Sequence, residues 1–142
     1  MTTIVIADDQ ELIRVAVRTL LQDRDDIVVV GEAVDGLEAV AMAARLKPDV
    51  VLMDIRMPVL GGIDATEQIC GDPRLSEVRV LILTTFEEDE YLFAALRAGA
   101  SGFIGKGAEP DEIIRAIRAV RAGDGLLSPA ATRTLITKLI RY

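Results

Sequence analysis

Four apolar runs in this chain end on residues that belong together chemically. Ile4-Val5-Ile6-Ala7 runs into Asp8-Asp9, Val50-Val51-Leu52-Met53 into Asp54, Val80-Leu81-Ile82-Leu83 into Thr84-Thr85, and Gly102-Phe103-Ile104-Gly105 into Lys106. Gathered in one place, three carboxylates repel and raise one another's pKa, and a divalent cation removes the conflict. All-oxygen ligands select Mg2+, Mn2+ or Ca2+, and a one- or two-carboxylate site that keeps waters suits Mg2+. A hydroxyl (Thr84), an ammonium (Lys106) and a metal around one carboxylate form a set for handling a phosphoryl group on Asp54, since aspartate is a covalent phosphoryl acceptor. Metal and lysine neutralise the transferring charge, and the threonine hydrogen-bonds its oxygens. Singly, each piece is ordinary: a solvated turn at Asp8-Asp9, a strand-end threonine, a surface lysine. A fitting group at four strand ends makes coincidence improbable.

These side chains converge only if the elements carrying them do. Short runs apolar on both faces read as strands of a parallel sheet covered by helices. Ile27 to Val30 reads as one more strand, with a loop over Gly31 to Gly36. Between the strands the period changes to that of helices. The first begins at Gln10 and shows Leu12, Ile13, Ala16, Val17 and Leu20; the second runs from Leu37 to Leu46, stopped by Lys47-Pro48. Others span Ile63 to Cys70 after a Gly-rich loop from Pro58 to Gly62, and Asp89 to Ala98, which ends on Arg97 and Gly99 where capping chemistry wants them. Pro110 opens a fifth, with Ile113, Ile114, Ile117 and Val120 on one face and Arg115, Arg118 and Arg121 on another. After a break at Gly123 to Gly125, Ser128-Pro129 starts an extra helix reaching about Ile140. Five βα repeats imply an α/β, doubly wound parallel sheet with right-handed crossovers and strand order 2-1-3-4-5. The first and third strands are then neighbours about 5 Å apart, and Asp8, Asp9 and Asp54 meet at the crevice where such sheets bind ligands.

Composition narrows the classes. A chain of 142 residues is one domain that buries roughly two-thirds of its unfolded surface. With 51% hydrophobic residues, 4% aromatics and no Trp, its core is aliphatic. A net charge of −7 argues against this segment gripping nucleic acid by itself. One cysteine and no histidine exclude an internal disulfide and a Cys/His zinc site. Cys70 falls on an apolar helix position and reads as a small core filler rather than a reactive thiol. Met1-Thr2-Thr3 leads straight into a strand, with no basic leader and no long apolar run. The expectation is a soluble, cytoplasmic protein without a membrane span.

Asp8-Asp9, Met53-Asp54, Met57-Pro58-Val59-Leu60-Gly61-Gly62, Thr84 and Lys106 resemble the receiver domain of bacterial two-component response regulators, over about residues 3 to 122. Leu83-Thr84-Thr85-Phe86 and the run Ala95 to Phe103 are similar to the NarL/FixJ (LuxR-type) subfamily of transcriptional regulators. The resemblance implies a flavodoxin-like (βα)5 fold with Asp54 as phosphoacceptor. It implies that Asp9, Asp54 and the main-chain carbonyl of Arg56 ligate Mg2+, with Asp8 acting through water. Thr84, with Thr85 beside it, would be the switch hydroxyl, Lys106 the phosphate partner and Phe103 the switch aromatic, without the hydroxyl of the usual Tyr. Gly107 stands where many receivers have Pro, which removes the usual reason for a cis peptide. Arg56 and Phe86 occupy the variable positions flanking the phosphate, and both are large enough to shade an acyl phosphate and slow its hydrolysis.

The resemblance implies a sensor histidine kinase as partner; the chain has no histidine, so the donor histidine would lie on that partner. Phosphorylation is expected to favour a homodimer through the Arg-striped helix, paired with the first helix or with the acidic start of the fourth (Glu87, Glu88, Asp89, Glu90). DNA binding would belong to a C-terminal helix-turn-helix domain outside this chain, with 1–122 as receiver and 123–142 as linker. A stand-alone receiver with protein–protein output is the alternative. The expected activity is that of a switch rather than an enzyme, with Mg2+-dependent self-phosphorylation from phosphodonors and autodephosphorylation. A haloacid-dehalogenase-type phosphatase also uses an aspartate nucleophile but wants a second Asp where Arg56 stands, and there is no room for its cap. A flavodoxin-like cofactor binder wants a Gly/Ser/Thr-rich phosphate loop where Asp8-Asp9-Gln10 would repel one.

Overall fold

The computed structural model describes residues 1–85, 89–127 and 129–141. Phe86, Glu87, Glu88 and Ser128, named above, lie outside the described residues. The chain order is β1 (Thr2–Ala7), α1 (Glu11–Leu21), β2 (Ile27–Ala33), α2 (Gly36–Leu46), β3 (Val50–Met53), α3 (Gly62–Cys70), a 3-10 turn (Pro73–Leu75), β4 (Arg79–Thr84), α4 (Asp89–Ala98), β5 (Gly102–Gly105), α5 (Pro110–Arg121), β6 (Leu126–Leu127) and α6 (Pro129–Arg141). All strands are parallel, in the order β2-β1-β3-β4-β5-β6.

Alternate residues of each strand feed two cores, one on each face of the sheet. Val5, Val51, Met53, Ile82 and Phe103 join Ala39, Ala65, Ile69 and Leu92 beneath α2, α3 and α4. Ile4, Ile6, Leu52, Leu81 and Ile104 join Val17, Leu21, Ile114 and Ile117 beneath α1 and α5. Burial on both faces is why these strands read as continuous apolar runs rather than as alternating ones.

Several boundaries differ from the sequence reading: β1 begins at Thr2 rather than Ile4, α1 at Glu11 rather than Gln10, and α2 and α3 each begin one residue earlier than read. β2 continues through Gly31 and Glu32 to Ala33, because a register shift between Ile4 and Val5 lets those residues keep pairing with β1. β4 includes Arg79 and Thr84. A sixth strand follows the Gly123–Gly125 break, pairing Leu126 with Gly102 and Leu127 with Phe103. Without it β5 would present an unpaired edge, and two residues placed there by α5 satisfy part of that ladder. Cys70 is a further correction: it closes α3 at the surface rather than in the core, and its Sγ lies 3.4 Å from the Gly99 carbonyl. Partial burial of the sulfur pushes the thiol pKa up.

α6 returns over α4, and Ala131 is buried in the cluster that holds Leu92, Ala95 and Phe103. Ala131→Asp should therefore detach α6 at a cost of about 2 kcal/mol, the scale for an unpaired polar group placed in an apolar site. A lower urea midpoint together with faster proteolysis of the tail would show it.

The arginine stripe on α5 is partly occupied within the chain. Arg118 makes a two-pronged pair with Asp26, at 2.9 and 3.0 Å, and Arg121 comes within 3.8 Å of Asp49. The acidic start of α4 lies mostly outside the described residues.

Candidate functional site

Register brings the acids together. Ala7 of β1 lies opposite Met53 of β3, so the next residues, Asp8 and Asp54, leave the sheet side by side. Their backbones are pinned: the Asp54 N–H donates to the Ala7 carbonyl at 3.0 Å, and the Asp8 N–H to that of Ala33 at 3.0 Å. Asp8 and Asp54 are buried and Asp9 is exposed. One carboxylate oxygen from each of the three lies within 4.8 Å of the others.

Lys106 arrives from the end of β5, where its N–H donates to the Thr84 carbonyl at 2.9 Å. Its Nζ donates to Asp8 Oδ2 at 2.6 Å and to Asp54 Oδ2 at 3.0 Å. The remaining oxygens of those carboxylates accept main-chain N–H groups, Asp8 Oδ1 from Gln10 at 2.9 Å and Asp54 Oδ1 from Ile55 at 2.8 Å. Burial raises the Asp8 pKa above its ordinary value, and the hydrogen bonds from Lys106 and Gln10 only partly offset it. Burial also disfavours the Lys106 ammonium, but its hydrogen bonds to Asp8 and Asp54 outweigh this, and its pKa lies above the ordinary lysine value. One ammonium among three carboxylates leaves surplus negative charge. Oxygen donors this close, carrying that surplus, fit a hard divalent cation.

Thr84 ends β4 fully buried, while Thr85 is exposed just beyond it. Phe103 is fully buried under α4. Among the described residues no peptide bond is cis, that between Lys106 and Gly107 included.

Glycine shapes the loop after Asp54. A Cβ on Gly62 would stand 1.8 Å from the Asp54 carbonyl oxygen, and one on Gly36 2.2 Å from that of Leu60. The loop is thereby held between the starts of α2 and α3, where the Gly62 N–H donates to Ile55 O at 2.7 Å and the Gly36 N–H to Leu60 O at 2.9 Å. Between them Val59 takes φ +69°, in a γ-turn closed by the Leu60 N–H on Pro58 O at 2.8 Å. Such a conformation is strained for a β-branched residue and persists because both flanks are fixed.

The sequence reading placed Asp8, Asp9, Asp54, Thr84 and Lys106 at strand ends, and the fold assembles the acids and the lysine at one end of the sheet. It missed the close approach at Gly36, which looked like an ordinary loop residue. It also missed Tyr91. Arg56 Nη2 donates to Tyr91 Oη at 2.7 Å, and the guanidinium carbon lies 5.7 Å from the ring centroid. The two are 35 residues apart, with no local pattern linking them.

A doubly wound parallel sheet with a lysine-bridged carboxylate cluster beyond the ends of β1, β3 and β5 defines a class of phosphoryl-handling switch domains. The response regulator receiver domain family matches residues 4–118, and the chain belongs to that family. It is 40% identical over 138 residues to the transcriptional regulatory protein LnrK of Bacillus subtilis, covering 97% of this chain and 62% of that protein. It is 37% identical to the transcriptional regulatory protein LiaR of the same organism, covering 98% of this chain and 65% of that one. The chain thus spans a little under two thirds of the length of these relatives. Among solved structures, a LuxR-family two-component response regulator from Aurantimonas sp. SI85-9A1 superposes with TM-score 0.91 at 33% identity, over 99% of both chains. Among the described residues no helix is long and apolar enough to cross a membrane.

Proposed function

We propose that this chain is the phosphoacceptor switch of a two-component transcriptional regulator, with Asp54 receiving the phosphoryl group. The observation that carries the reading is the buried Asp8–Lys106–Asp54 bridge beside Asp9 at the sheet end. The Asp54 carboxylate attacks the phosphorus of a phosphohistidine on a sensor histidine kinase. The O–P bond forms as the P–N bond breaks, and the departing imidazole takes up a proton. Lys106 moves from its carboxylate partners to the phosphoryl oxygens, while the Thr84 hydroxyl, with Thr85 beside it, hydrogen-bonds them. Asp9, Asp54 and the main-chain carbonyl of Arg56 would hold Mg2+, with Asp8 assisting. When bound, Mg2+ neutralises charge on the transferring group. Water later hydrolyses the acyl phosphate, so the protein turns itself off.

Residues 1–122 form the receiver and 123–142 the linker to a helix-turn-helix DNA-binding domain. Phosphorylation favours a homodimer, and the protein acts in the cytoplasm. LnrK and LiaR are called transcriptional regulatory proteins, which supports that output.

Incubation with Mg2+ and acetyl phosphate should add about 80 Da to the wild-type chain, one phosphoryl group. Asp54→Asn should gain nothing. An adduct that survives this substitution, or never forms on the wild type, would refute the assignment.

A further inference from the structure

We infer that Tyr91 is a positioning residue, whose hydroxyl and ring hold the Arg56 guanidinium at the wall of the groove beside Asp9, so that the first turn of α4 governs how Arg56 guards the acyl phosphate. The inference rests on the phosphoacceptor reading of Asp54 and adds a control element to the same site.

The residues are placed for it. Arg56 follows Asp54 by two positions, in the loop pinned by Gly36 and Gly62. Arg56, Tyr91 and Asp9 line one groove of about 600 Å³, together with Met57, Pro58 and Ile63. Tyr91 makes two kinds of contact with one guanidinium. Its hydroxyl accepts from Nη2 at 2.7 Å and from Nε at 3.3 Å, and its ring lies 5.7 Å from the guanidinium carbon. Two donors on one acceptor, plus the attraction of a cation to the ring, help to set the direction of this planar group. Tyr91 is half-buried on a helix that packs on the sheet, so it is the more rigid of the pair.

Chemistry follows from position. An acyl phosphate on Asp54 is lost when water attacks phosphorus. Arg56 lines the groove beside Asp9, and a guanidinium held there by Tyr91 would restrict the approach of that water more than one whose direction is less well defined. The α4 end of the contact belongs to the element that also carries α6, so any movement of α4 changes the hold on Arg56, and the hold on Arg56 resists movement of α4.

The test is a double-mutant cycle on the decay of the phosphorylated chain, loaded with acetyl phosphate and followed by intact mass after the donor is removed. Tyr91→Phe keeps the ring and its packing but removes the acceptor. It should shorten the lifetime about threefold, the scale of one hydrogen bond's net contribution. Arg56→Ala should shorten it at least as much. In the Arg56→Ala background, Tyr91→Phe should have no further effect, a result that a merely structural role for Tyr91 would not give. Additive effects, or a lifetime untouched by Tyr91→Phe, would overturn the inference. If the single variants load with phosphate but the cycle fails, only the positioning role of Tyr91 is lost. A wild-type chain that never loads removes the phosphoacceptor reading and this inference with it.

Discussion

Gly62→Ala is expected to lower the stability of the chain by about 3 kcal/mol, at the upper end for an overpacked site, and to disable the acidic cluster. The added methyl would sit 1.8 Å from the Asp54 carbonyl oxygen and 2.8 Å from its carbon. Both are backbone atoms, so no rotamer change relieves the clash. Either the first turn of α3 moves outward, breaking the 2.7 Å bond from the Gly62 N–H to Ile55 O, or the end of β3 moves and takes Asp54 with it. Gly61 supplies the control. A Cβ there meets nothing closer than Ile55 O at 3.5 Å, an ordinary contact, so Gly61→Ala should be nearly neutral. Urea denaturation compares the two, as a shift of midpoint at constant slope. Mg2+ titration and phosphoryl loading then report the site. Equal midpoints for the two variants would show that the approach of α3 to Asp54 is not as close as described.

Lys106→Met should cost a comparable amount, about 3–5 kcal/mol near neutral pH in the absence of metal, because it leaves buried carboxylates without their counter-charge. The lysine side chain is 13% exposed, and those of Asp8 and Asp54 are 4% and 6%, so water screens the triad weakly. Asp8→Asn should act in the opposite sense. The raised pKa of Asp8 means that, above the ordinary value of 3.8, the folded chain holds protons that the unfolded chain has lost. Stability therefore falls as pH rises through the window between 3.8 and the folded value, and the penalty persists to neutrality. Asparagine removes it and leaves one Asp54–Lys106 pair. Combined with Lys106→Met, it should restore much of the lost stability. Lys106 works at the alkaline end: its contribution is complete below the ordinary 10.5 and is lost as pH rises through its higher folded value. Mg2+ should stabilise Lys106→Met more than it stabilises Asp8→Asn, since a divalent ion supplies the missing positive charge only where the carboxylates remain. Thermal melts in EDTA and in Mg2+, at pH 5 and pH 7.5, separate these cases. A Lys106→Met variant as stable as the wild type in EDTA would mean that the ion bridge contributes nothing to the fold.

The two variants probe different things the chain had to solve. Gly62 answers a steric demand set by how α3 meets the end of β3. Lys106 answers an electrostatic one, set by three acids gathered in a confined place. The tail adds a third element: β6 and α6 cover the edge at β5 and the flank of α4, so a segment that reads as dispensable for five strands is packed against the buried Phe103.

What the sequence determined by itself was the alternation of strands and helices and the identity of the groups at the strand ends. Those are local properties: apolar periodicity, proline and glycine punctuation, and a charge following a buried run. The five-strand order, and with it the meeting of Asp8 with Asp54, could be reasoned from the same pattern because parallel crossovers have few allowed arrangements. Only the tertiary structure decided the rest. The bulge that extends β2, the two-residue β6, the demand for glycine at positions 36 and 62, the surface position of Cys70 and the grip of Tyr91 on Arg56 all depend on distances between segments remote in the chain. No residue-by-residue preference encodes such distances, because each is set by how whole elements pack.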